Sequence, residues 1–326
     1  MQSPTSNERS MADYAEYVPE ARLDRIRAGA AELADCRVLH VNSTAADGGV
    51  AELLRSLVPL LNDIGVANDW RVMEADAPFF DVTKAVHNAL QGDDVPVTDE
   101  MWETYRTWND RNAASLDDAY DVVVLHDPQP LAMVGPLRER FPQATVVWRC
   151  HIDLTAANPD VLGTLRQYVE RVDHVVFSQA QYGAGIDDVP RTVVHPAIDP
   201  LTDKNRELTP AEREGERESL PPALFDPEVP IVTQVSRFDP WKDPIGVLNA
   251  HRRLETAFPR AHLVLAGGMA ADDPEGRVVY DRVVAEASAD SNVTLLTDLP
   301  DTAVNVLQSE ADVVLHDKLP GLDILG

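Results

Sequence analysis

Two cations in one short loop are the side chains of this chain best suited to chemistry. Arg237 and Lys242 lie five residues apart, between an apolar run that predicts a buried strand and a segment that predicts a helix. Ligands of open α/β sheets bind at the carboxyl ends of the strands. Arg binds phosphate oxygens with two parallel hydrogen bonds and Lys supplies a point charge, so the loop predicts a diphosphate site. The alternative is a pair of exposed cations that bind nothing.

Two glycine pairs follow other predicted strands. Gly48 and Gly49 open a predicted helix, whose first N–H groups would point at an anion. Gly267 and Gly268 follow the predicted strand 262–266 and permit a close approach of the backbone to a nucleotide. Neither pair forms the GxGxxG fingerprint of dinucleotide sites, so an ordinary tight turn stays the alternative for each pair.

Histidine and aspartate residues end two further predicted strands. His126 and Asp127 precede a loop with two prolines, which predicts that both side chains point outward. His151 and Asp153 are placed to hold sugar hydroxyls. The alternatives assign no ligand to these residues. His126 would then be a hydrogen-bonded histidine at a strand end, and His151 would pack locally. Asp127 and Asp153 would cap the turns that follow them. The strand ends near Gly48, Asp127 and His151 are predicted to converge on one edge of one sheet.

Parallel sheets are required to position these residues, and strand-like and helix-like segments alternate along the chain. The predicted fold class is α/β, with two Rossmann-like doubly wound parallel sheets that face a cleft. The predicted domains are an N-terminal tail and helix at 1–34, a first Rossmann-like domain at 35–205, a linker at 206–227 and a second Rossmann-like domain at 228–326. The predicted strands are 37–42, 69–73, 122–126, 145–149, 174–178, 192–196, 229–235, 262–266, 293–296 and 312–315.

The charge of the chain excludes several classes of partner. Its 28 basic and 55 acidic residues give a formal net charge of −27, whereas binding to nucleic acid or to an anionic membrane surface needs a basic face. The composition is acid-rich and contains few lysines, which is typical of proteins from a halophilic, high-salt cytoplasm, where salt screens self-repulsion. An ordinary acidic protein is the alternative.

The two cysteines indicate a reducing compartment. Cys36 and Cys150 lie beside apolar runs and are predicted to be small core residues. No cysteine or histidine spacing typical of a metal site occurs. No apolar run approaches the ~20 residues that span a bilayer, and the N-terminus lacks the pattern of a signal peptide. The predicted location is therefore cytoplasmic.

Five segments taken together resemble a known family. They read Gly-Gly-Val at 48–50, His-Asp-Pro-Gln-Pro at 126–130, Trp-Arg-Cys-His-Ile-Asp at 148–153, Val-Ser-Arg-Phe-Asp-Pro-Trp-Lys-Asp-Pro at 235–244 and Ala-Gly-Gly at 266–268. Across residues 35–316 the chain resembles the retaining glycosyltransferases of family 4, which have the GT-B fold, and most of all those that form trehalose. The three longer segments are specific in combination, whereas the glycine pairs alone are not.

The resemblance implies transfer of glucose from a nucleoside diphosphate glucose to glucose, giving α,α-trehalose, and the reverse reaction. Arg237 and Lys242 would bind the donor diphosphate, the N–H groups of Gly48 and Gly49 would lie near it, and His151 would contact the donor sugar. The family has no agreed protein nucleophile, so positioning and electrostatic stabilisation of the leaving phosphate would carry the catalysis.

The same resemblance implies roles for four other residues. Asp127 and Asp153 would line the acceptor side, and Gly267 and Gly268 would border the nucleotide. The first domain would hold the acceptor and the second would hold the donor. No metal or other cofactor is implied, and the partners would be a nucleotide sugar and a small sugar acceptor.

The second domain departs from the family pattern after the predicted strand 312–315. The family continues with a Glu-Gly-Phe-Gly segment and a second Glu after seven further residues, which hold the donor sugar and the ribose, but no Glu follows Glu310 here. We expect a truncated or frameshifted C-terminus, weak or absent transferase activity, and an incomplete second sheet whose unpaired edge favours a homo-oligomer. The alternatives are an inactive remnant that binds a nucleotide or a partner, and a family 4 transferase with another acceptor.

Overall fold

The computed structural model describes residues 1–4, 9–46, 48–268 and 275–315. The described residues form two compact units, which run from Met1 to Ala197 and from Ile198 to Leu315. Each unit contains one parallel β-sheet with helices in the connections between its strands. The α/β class predicted from the sequence is therefore confirmed in both units.

A six-stranded parallel sheet forms the first unit. Its strands are β1 (Arg37–Asn42), β2 (Ala67–Val72), β3 (Val122–His126), β4 (Thr145–Cys150), β5 (His174–Phe177) and β6 (Arg191–Val193). The order is β2-β1-β3-β4-β5-β6, so β2 and β3 lie on opposite sides of β1. The strand order therefore reverses beside β1, and α/β sheets bind ligands at such a switch point.

Six α-helices accompany this sheet in the described residues. They are α1 (Glu20–Ala31), α2 (Gly49–Asp63), α3 (Ala77–Leu90), α4 (Asp99–Ala114), α5 (Val134–Arg140) and α6 (Pro159–Val169). The side chains of Asp76, Thr98 and Asn158 accept hydrogen bonds from the first N–H groups of α3, α4 and α6, which fixes where these helices begin. Leu39 of β1 and Trp148 of β4 are fully buried in the main apolar cluster of this unit.

The second unit has a four-stranded parallel sheet in the described residues. Its strands are β7 (Ile231–Val235), β8 (His262–Ala266), β9 (Val293–Leu296) and β10 (Val313–Val314), in the order β10-β7-β8-β9. Its helices are α7 (Pro210–Ser219), α8 (Pro244–Leu254), α9 (Gly276–Ala287) and α10 (Asp301–Glu310). The chain beyond Leu315, where the departure from the family pattern was predicted, lies outside the described residues.

The segment 206–227, predicted as a linker, lies within the second unit. Its helix α7 packs against α10, and the Thr302 hydroxyl donates a 2.6 Å hydrogen bond to Glu216. Leu208, Leu220 and Leu224 belong to the same buried cluster as residues of β7 and α10. The charged residues of α7 therefore lie on the surface of a packed helix, which explains why the composition of the segment suggests a linker.

Two further observations concern membrane spans and the cysteines. No helix in the described part of the chain is long and apolar enough to cross a membrane. Neither Cys36 nor Cys150, both described, forms a disulfide. The Cys150 thiol instead lies 3.6 Å from the carbonyl oxygen of Ile152 in the core.

Candidate active site

The carboxyl ends of β1, β3 and β4 lie side by side, because these strands are neighbours in the first sheet. Helix α2 begins after β1, with Gly48 as its extended N-cap and Gly49 as its first residue. The first N–H groups of an α-helix have no partner inside the helix and carry a partial positive charge. A Cβ at Gly48 would make only ordinary contact, 3.8 Å from a Thr44 methyl group. Crowding by the protein therefore does not explain the glycine at this position.

Three histidines and one asparagine form a continuous series of hydrogen bonds across four strands, which we call the histidine relay. Its members are Asn68, His40, His126 and His151. His40 Nε2 lies 3.2 Å from Asn68 Oδ1, and His40 Nδ1 lies 3.0 Å from His126 Nε2. His126 Nδ1 lies 3.0 Å from His151 Nε2, and the two rings are nearly parallel. All four side chains are buried.

The strand register explains how these residues meet. Asn68 pairs with Val38, two residues before His40 on β1, and His40 pairs with Val124, two residues before His126 on β3. His126 in turn pairs with Arg149, two residues before His151. Side chains two residues apart point to the same face of a strand. The histidine relay therefore crosses one face of the sheet diagonally.

The three rings of the histidine relay are neutral at neutral pH. Burial, together with a smaller effect of the positive charge of Arg149, lowers the pKa of His40 to about 4 and that of His151 to about 3. Burial also lowers the pKa of His126 well below its usual value, and the neighbouring histidines and Arg149 add to this effect. Each ring therefore has one N–H and one nitrogen lone pair.

His126 corrects one expectation from the sequence. We predicted that its side chain would point outward, but the ring is only 2% exposed and bonds to a histidine on either side. The alternative of a hydrogen-bonded strand-end histidine is what the structure shows. His40 and Asn68 were missed in the sequence. The signal for His40 was a polar residue in the middle of an otherwise apolar strand.

Asp127 fixes the backbone beside His151. Its φ of 63° lies in the left-handed region, which Asp tolerates better than most residues. Its carboxylate accepts a 2.7 Å hydrogen bond from the His151 N–H, and its carbonyl accepts one of 2.9 Å from the Trp148 indole. Asp127 therefore holds the end of β4 in place. Its predicted place on the acceptor side stays a prediction.

Asp153 is buried and accepts a 2.9 Å hydrogen bond from the N–H of Thr155. This contact closes a short turn after β4, as the capping alternative predicts. The Asp153 carboxylate has a second oxygen, so the turn leaves capacity for another hydrogen bond. Its predicted contact with an acceptor sugar stays a prediction.

In the second unit, Lys242 is held in a turn between β7 and α8. The Asp239 carboxylate accepts a 2.8 Å hydrogen bond from the Trp241 N–H, and the side chain of Gln234 donates one of 2.8 Å to the Lys242 carbonyl. Lys242 is only 2% exposed, whereas Arg237 is half-buried. The two predicted cations therefore lie on one loop whose backbone is fixed by side chains of the same loop and strand.

Helix α8 begins directly after this turn. Asp243 is its N-cap, with a φ of 43°, and its carboxylate accepts a 2.9 Å hydrogen bond from the N–H of Gly246. A Cβ at Gly246 would lie 1.9 Å from this carboxylate, so the cap requires glycine there. The loop with Arg237 and Lys242 therefore runs straight into a capped helix N-terminus, which adds positive potential.

Gly267 and Gly268 hold the first part of the same loop. The N–H of Ser236 donates to the Ala266 carbonyl at 3.0 Å, and the N–H of Phe238 donates to the Gly268 carbonyl at 3.2 Å. A Cβ at Gly267 would lie 1.7 Å from the Ser236 carbonyl oxygen. The close approach that requires glycine at 267 is therefore an approach to the protein's own backbone. A nucleotide beside this pair stays a prediction.

These side chains do not form a metal site. Within the described ranges, no group of three or more histidine, cysteine, aspartate or glutamate residues could hold a metal ion. The histidine relay is not such a group, because its rings bond to one another and not to a common point.

Comparison with known proteins identifies a family. The family model described as "Trehalose synthase, N-terminal domain" matches residues 40–184. A trehalose synthase of Thermococcus litoralis is 39% identical over an alignment of 312 positions, which covers 94% of this chain and 74% of that protein. A trehalose synthase of Rubrobacter xylanophilus is 38% identical over an alignment of 327 positions, which covers 98% of this chain and 78% of that protein.

The solved structures show the fold. An α,α-trehalose-phosphate synthase (UDP-forming) from Burkholderia xenovorans, in complex with glucose-6-phosphate, matches with a TM-score of 0.68. The match covers 89% of this chain and 81% of that one, at 13% sequence identity. The fold is therefore that of the GT-B trehalose-phosphate synthases, as the sequence motifs predicted.

Proposed function

The chain belongs to the trehalose synthase family, and we propose that it transfers glucose from a nucleoside diphosphate glucose to glucose, giving α,α-trehalose. Family membership makes the chain a glycosyltransferase of trehalose metabolism. The choice of substrates, the retention of configuration at the anomeric carbon and the reversal of the reaction are part of the proposal. The observation that carries it is 39% identity to a trehalose synthase along 94% of the chain.

The donor diphosphate is assigned to the loop before α8. Arg237 supplies a guanidinium that binds phosphate oxygens in pairs, and Lys242 supplies an ammonium group. Lys242 is almost fully buried, so water screens its attraction to a phosphate only weakly. The capped N-terminus of α8 favours negative charge in the same place. These groups would stabilise the charge that develops on the departing diphosphate.

The sugar groups are assigned to the strand ends of the first unit. The N–H groups of Gly48 and Gly49 would face the diphosphate, and His151 would contact the donor sugar. Asp127 and Asp153 would border the acceptor. The hydrogen bonds that Asp127 and Asp153 accept from backbone N–H groups keep these positions fixed before a ligand arrives, and such preorganisation is what catalysis by positioning needs.

No catalytic metal is part of this proposal. The positive charge that a metal ion would bring to a leaving diphosphate would come from Arg237, Lys242 and the helix N-terminus. Gly267 and Gly268 would border the nucleotide from the next strand. The proposed substrates are therefore a nucleotide sugar and a small sugar, with activity retained in the presence of EDTA.

The test is an assay of the 326-residue chain with UDP-glucose, and then ADP-glucose, as donor and glucose as acceptor. Because the second domain departs from the family pattern near its C-terminus, we expect slow formation of trehalose, and a further fall in this rate of about 100-fold or more in Arg237→Ala. Arg277→Ala is the matched control, because Arg277 is exposed on α9, where it pairs with Asp281 and lies over the Tyr280 ring at the surface. The rate of that variant should stay close to the wild type.

Three results would overturn the proposal or part of it. Glucosyl transfer only to fructose or to a glucan would identify a different acceptor. Binding of the nucleotide sugar without turnover would identify a non-catalytic binding protein. Equal rates in Arg237→Ala and Arg277→Ala would show that the loop before α8 does not bind the diphosphate.

A further inference from the structure

The direction of the hydrogen bonds in the histidine relay is set at its first member. The Asn68 side chain donates through Nδ2 to the Val66 carbonyl at 2.9 Å, so its Oδ1 must be the atom that faces His40. The backbone of Asn68 is held in turn by two hydrogen bonds with the side chain of Asn62. Asn68 therefore presents a fixed acceptor to the relay.

A fixed acceptor at one end determines every proton in the relay. A neutral imidazole has one N–H and one lone pair. His40 must donate from Nε2 to Asn68, so its Nδ1 accepts from Nε2 of His126. Nδ1 of His126 then accepts from Nε2 of His151. The opposite direction would place two lone pairs face to face at Asn68. Nδ1 of His151 is consequently a lone pair and not an N–H.

This last atom is the unsatisfied end of the relay. Nδ1 of His151 is buried and has no hydrogen-bond partner among the described residues. An unpaired buried acceptor costs about 1–3 kcal/mol, and a group that donates a hydrogen bond to it recovers that cost. His151 follows β4 at the sheet edge where α2 begins, and its backbone is fixed by Asp127.

We infer that Asn68, His40 and His126 are positioning residues, which hold His151 in the tautomer whose Nδ1 accepts a hydrogen bond from one hydroxyl of the donor sugar. The inference rests on the proposed function for the identity of the ligand, but the tautomer follows from the hydrogen bonds alone. Burial and the nearby Arg149 keep the rings uncharged, and a charged ring would have no lone pair to offer. The relay thus selects a hydroxyl group over any ligand atom that only accepts.

The first experiment uses the wild-type chain without ligand. Nitrogen NMR of the protein labelled in its histidine rings should show His40, His126 and His151 neutral and protonated at Nε2. A proton on Nδ1 of His151 would overturn the inference. Because this measurement needs neither substrate nor turnover, its outcome is separate from that of the trehalose assay.

The second experiment compares Asn68→Leu with Asn68→Asp. Leucine removes the acceptor that sets the direction of the relay, whereas aspartate keeps an acceptor oxygen at the same position. In Asn68→Leu, we expect mixed histidine tautomers and an increase of about tenfold in the Kd of UDP-glucose, with the Kd of UDP unchanged. Asn68→Asp should keep the wild-type tautomers and stay closer to the wild-type Kd. An equal loss of affinity for UDP and UDP-glucose would indicate a purely structural role and contradict the inference.

Deoxy analogues of the donor identify the hydroxyl. Among the 2-, 3-, 4- and 6-deoxy forms of UDP-glucose, one should bind wild type and Asn68→Leu equally, because it lacks the group that donates to His151. If Asn68→Leu loses affinity for every analogue by the same factor, an internal water molecule and not a sugar hydroxyl donates to Nδ1 of His151, and the inference would be wrong. Failure of UDP-glucose and ADP-glucose to bind wild type would overturn the sugar contact together with the proposed function, and the tautomers would still be decided by NMR.

Discussion

Replacing Gly267 by alanine tests the packing that holds the proposed diphosphate loop. The added Cβ would lie 1.7 Å from the Ser236 carbonyl oxygen, whereas real Cβ contacts are not shorter than 3.0 Å. The two segments must therefore separate by at least 1.3 Å, which is the difference between these distances. Ser236 and Phe238 are tied to the same segment by backbone hydrogen bonds of 3.0 and 3.2 Å, so the separation must also strain or break these bonds.

The expected cost of Gly267→Ala combines two effects. Forcing extra atoms into a packed site costs about 1–3 kcal/mol, and each lost hydrogen bond costs about 1 kcal/mol. We expect a loss of roughly 2–4 kcal/mol in the free energy of unfolding of the second unit, or a fall in its Tm on the order of 10 °C. Arg237 directly follows Ser236, and a shift of about 1 Å in a positioning group costs about 100-fold in rate.

Scanning calorimetry of the full chain measures the change in stability, and two other glycines of the second unit are the controls. No atom of the described residues lies within 4 Å of a Cβ at Gly268, so Gly268→Ala should leave the Tm almost unchanged. Gly215 also has open space and lies inside helix α7, so Gly215→Ala should add about 0.5–1 kcal/mol. If the Tm of Gly267→Ala lies within about 2 °C of that of Gly268→Ala, the packing argument is refuted.

Two further predictions concern pH and salt. His40 and His151 stay uncharged in the folded chain because burial lowers their pKa values to about 4 and about 3, whereas in the unfolded chain they bind protons below the ordinary value of 6.5. Their contribution to stability is therefore complete above pH 6.5 and is lost as the pH falls toward 4, by about 2 kcal/mol per histidine between pH 7 and pH 5. Urea unfolding at pH 7 and at pH 5 measures this loss of stability. Equal free energies of unfolding at the two pH values would contradict the expected effect of these histidines. The other ionisable groups beside these rings are Asp127 and Arg149. Because the formal net charge is −27, added KCl should raise the Tm by screening repulsion between carboxylates. A Tm that does not rise between 0.1 and 2 M KCl would show that this repulsion does not limit the stability of the fold.

Much of the fold could be predicted because its strands are short apolar runs with clear ends. Residues 37–42 and 122–126 were predicted as strands, and the structure has β1 and β3 at these positions. The apolar pattern typical of a helix becomes clear only from Asp81, but α3 begins at Ala77. Asp76 caps that helix and Pro78 lies in its first turn, a start signal that outweighs the later apolar pattern. Strand β6 ends at Val193 and not at 196, close to Pro196, which has no N–H to give to a sheet.

The candidate site could be predicted only in part, because sequence locates a strand end but does not show where its side chains point. Arg237 and Lys242 share one loop, as expected from their spacing. The partner of Gly267, in contrast, is Ser236 on the preceding strand connection. The sequence at 266–268 does not show whether a glycine there permits the close approach of a nucleotide or of a neighbouring carbonyl group. Only the register of β7 with β8 makes that distinction.

The histidine relay depends on register even more strongly. Asn68, His40, His126 and His151 are spread over 112 positions of sequence, from 40 to 151, and belong to no common motif. They meet because β1 lies between β2 and β3, and because each successive member lies two residues further along its strand. A shift of one residue in any of these pairings would turn one ring to the opposite face of the sheet. The tautomer of His151 is therefore determined by the pairing of four strands, and a substitution that changes this pairing should alter sugar binding without touching the sugar.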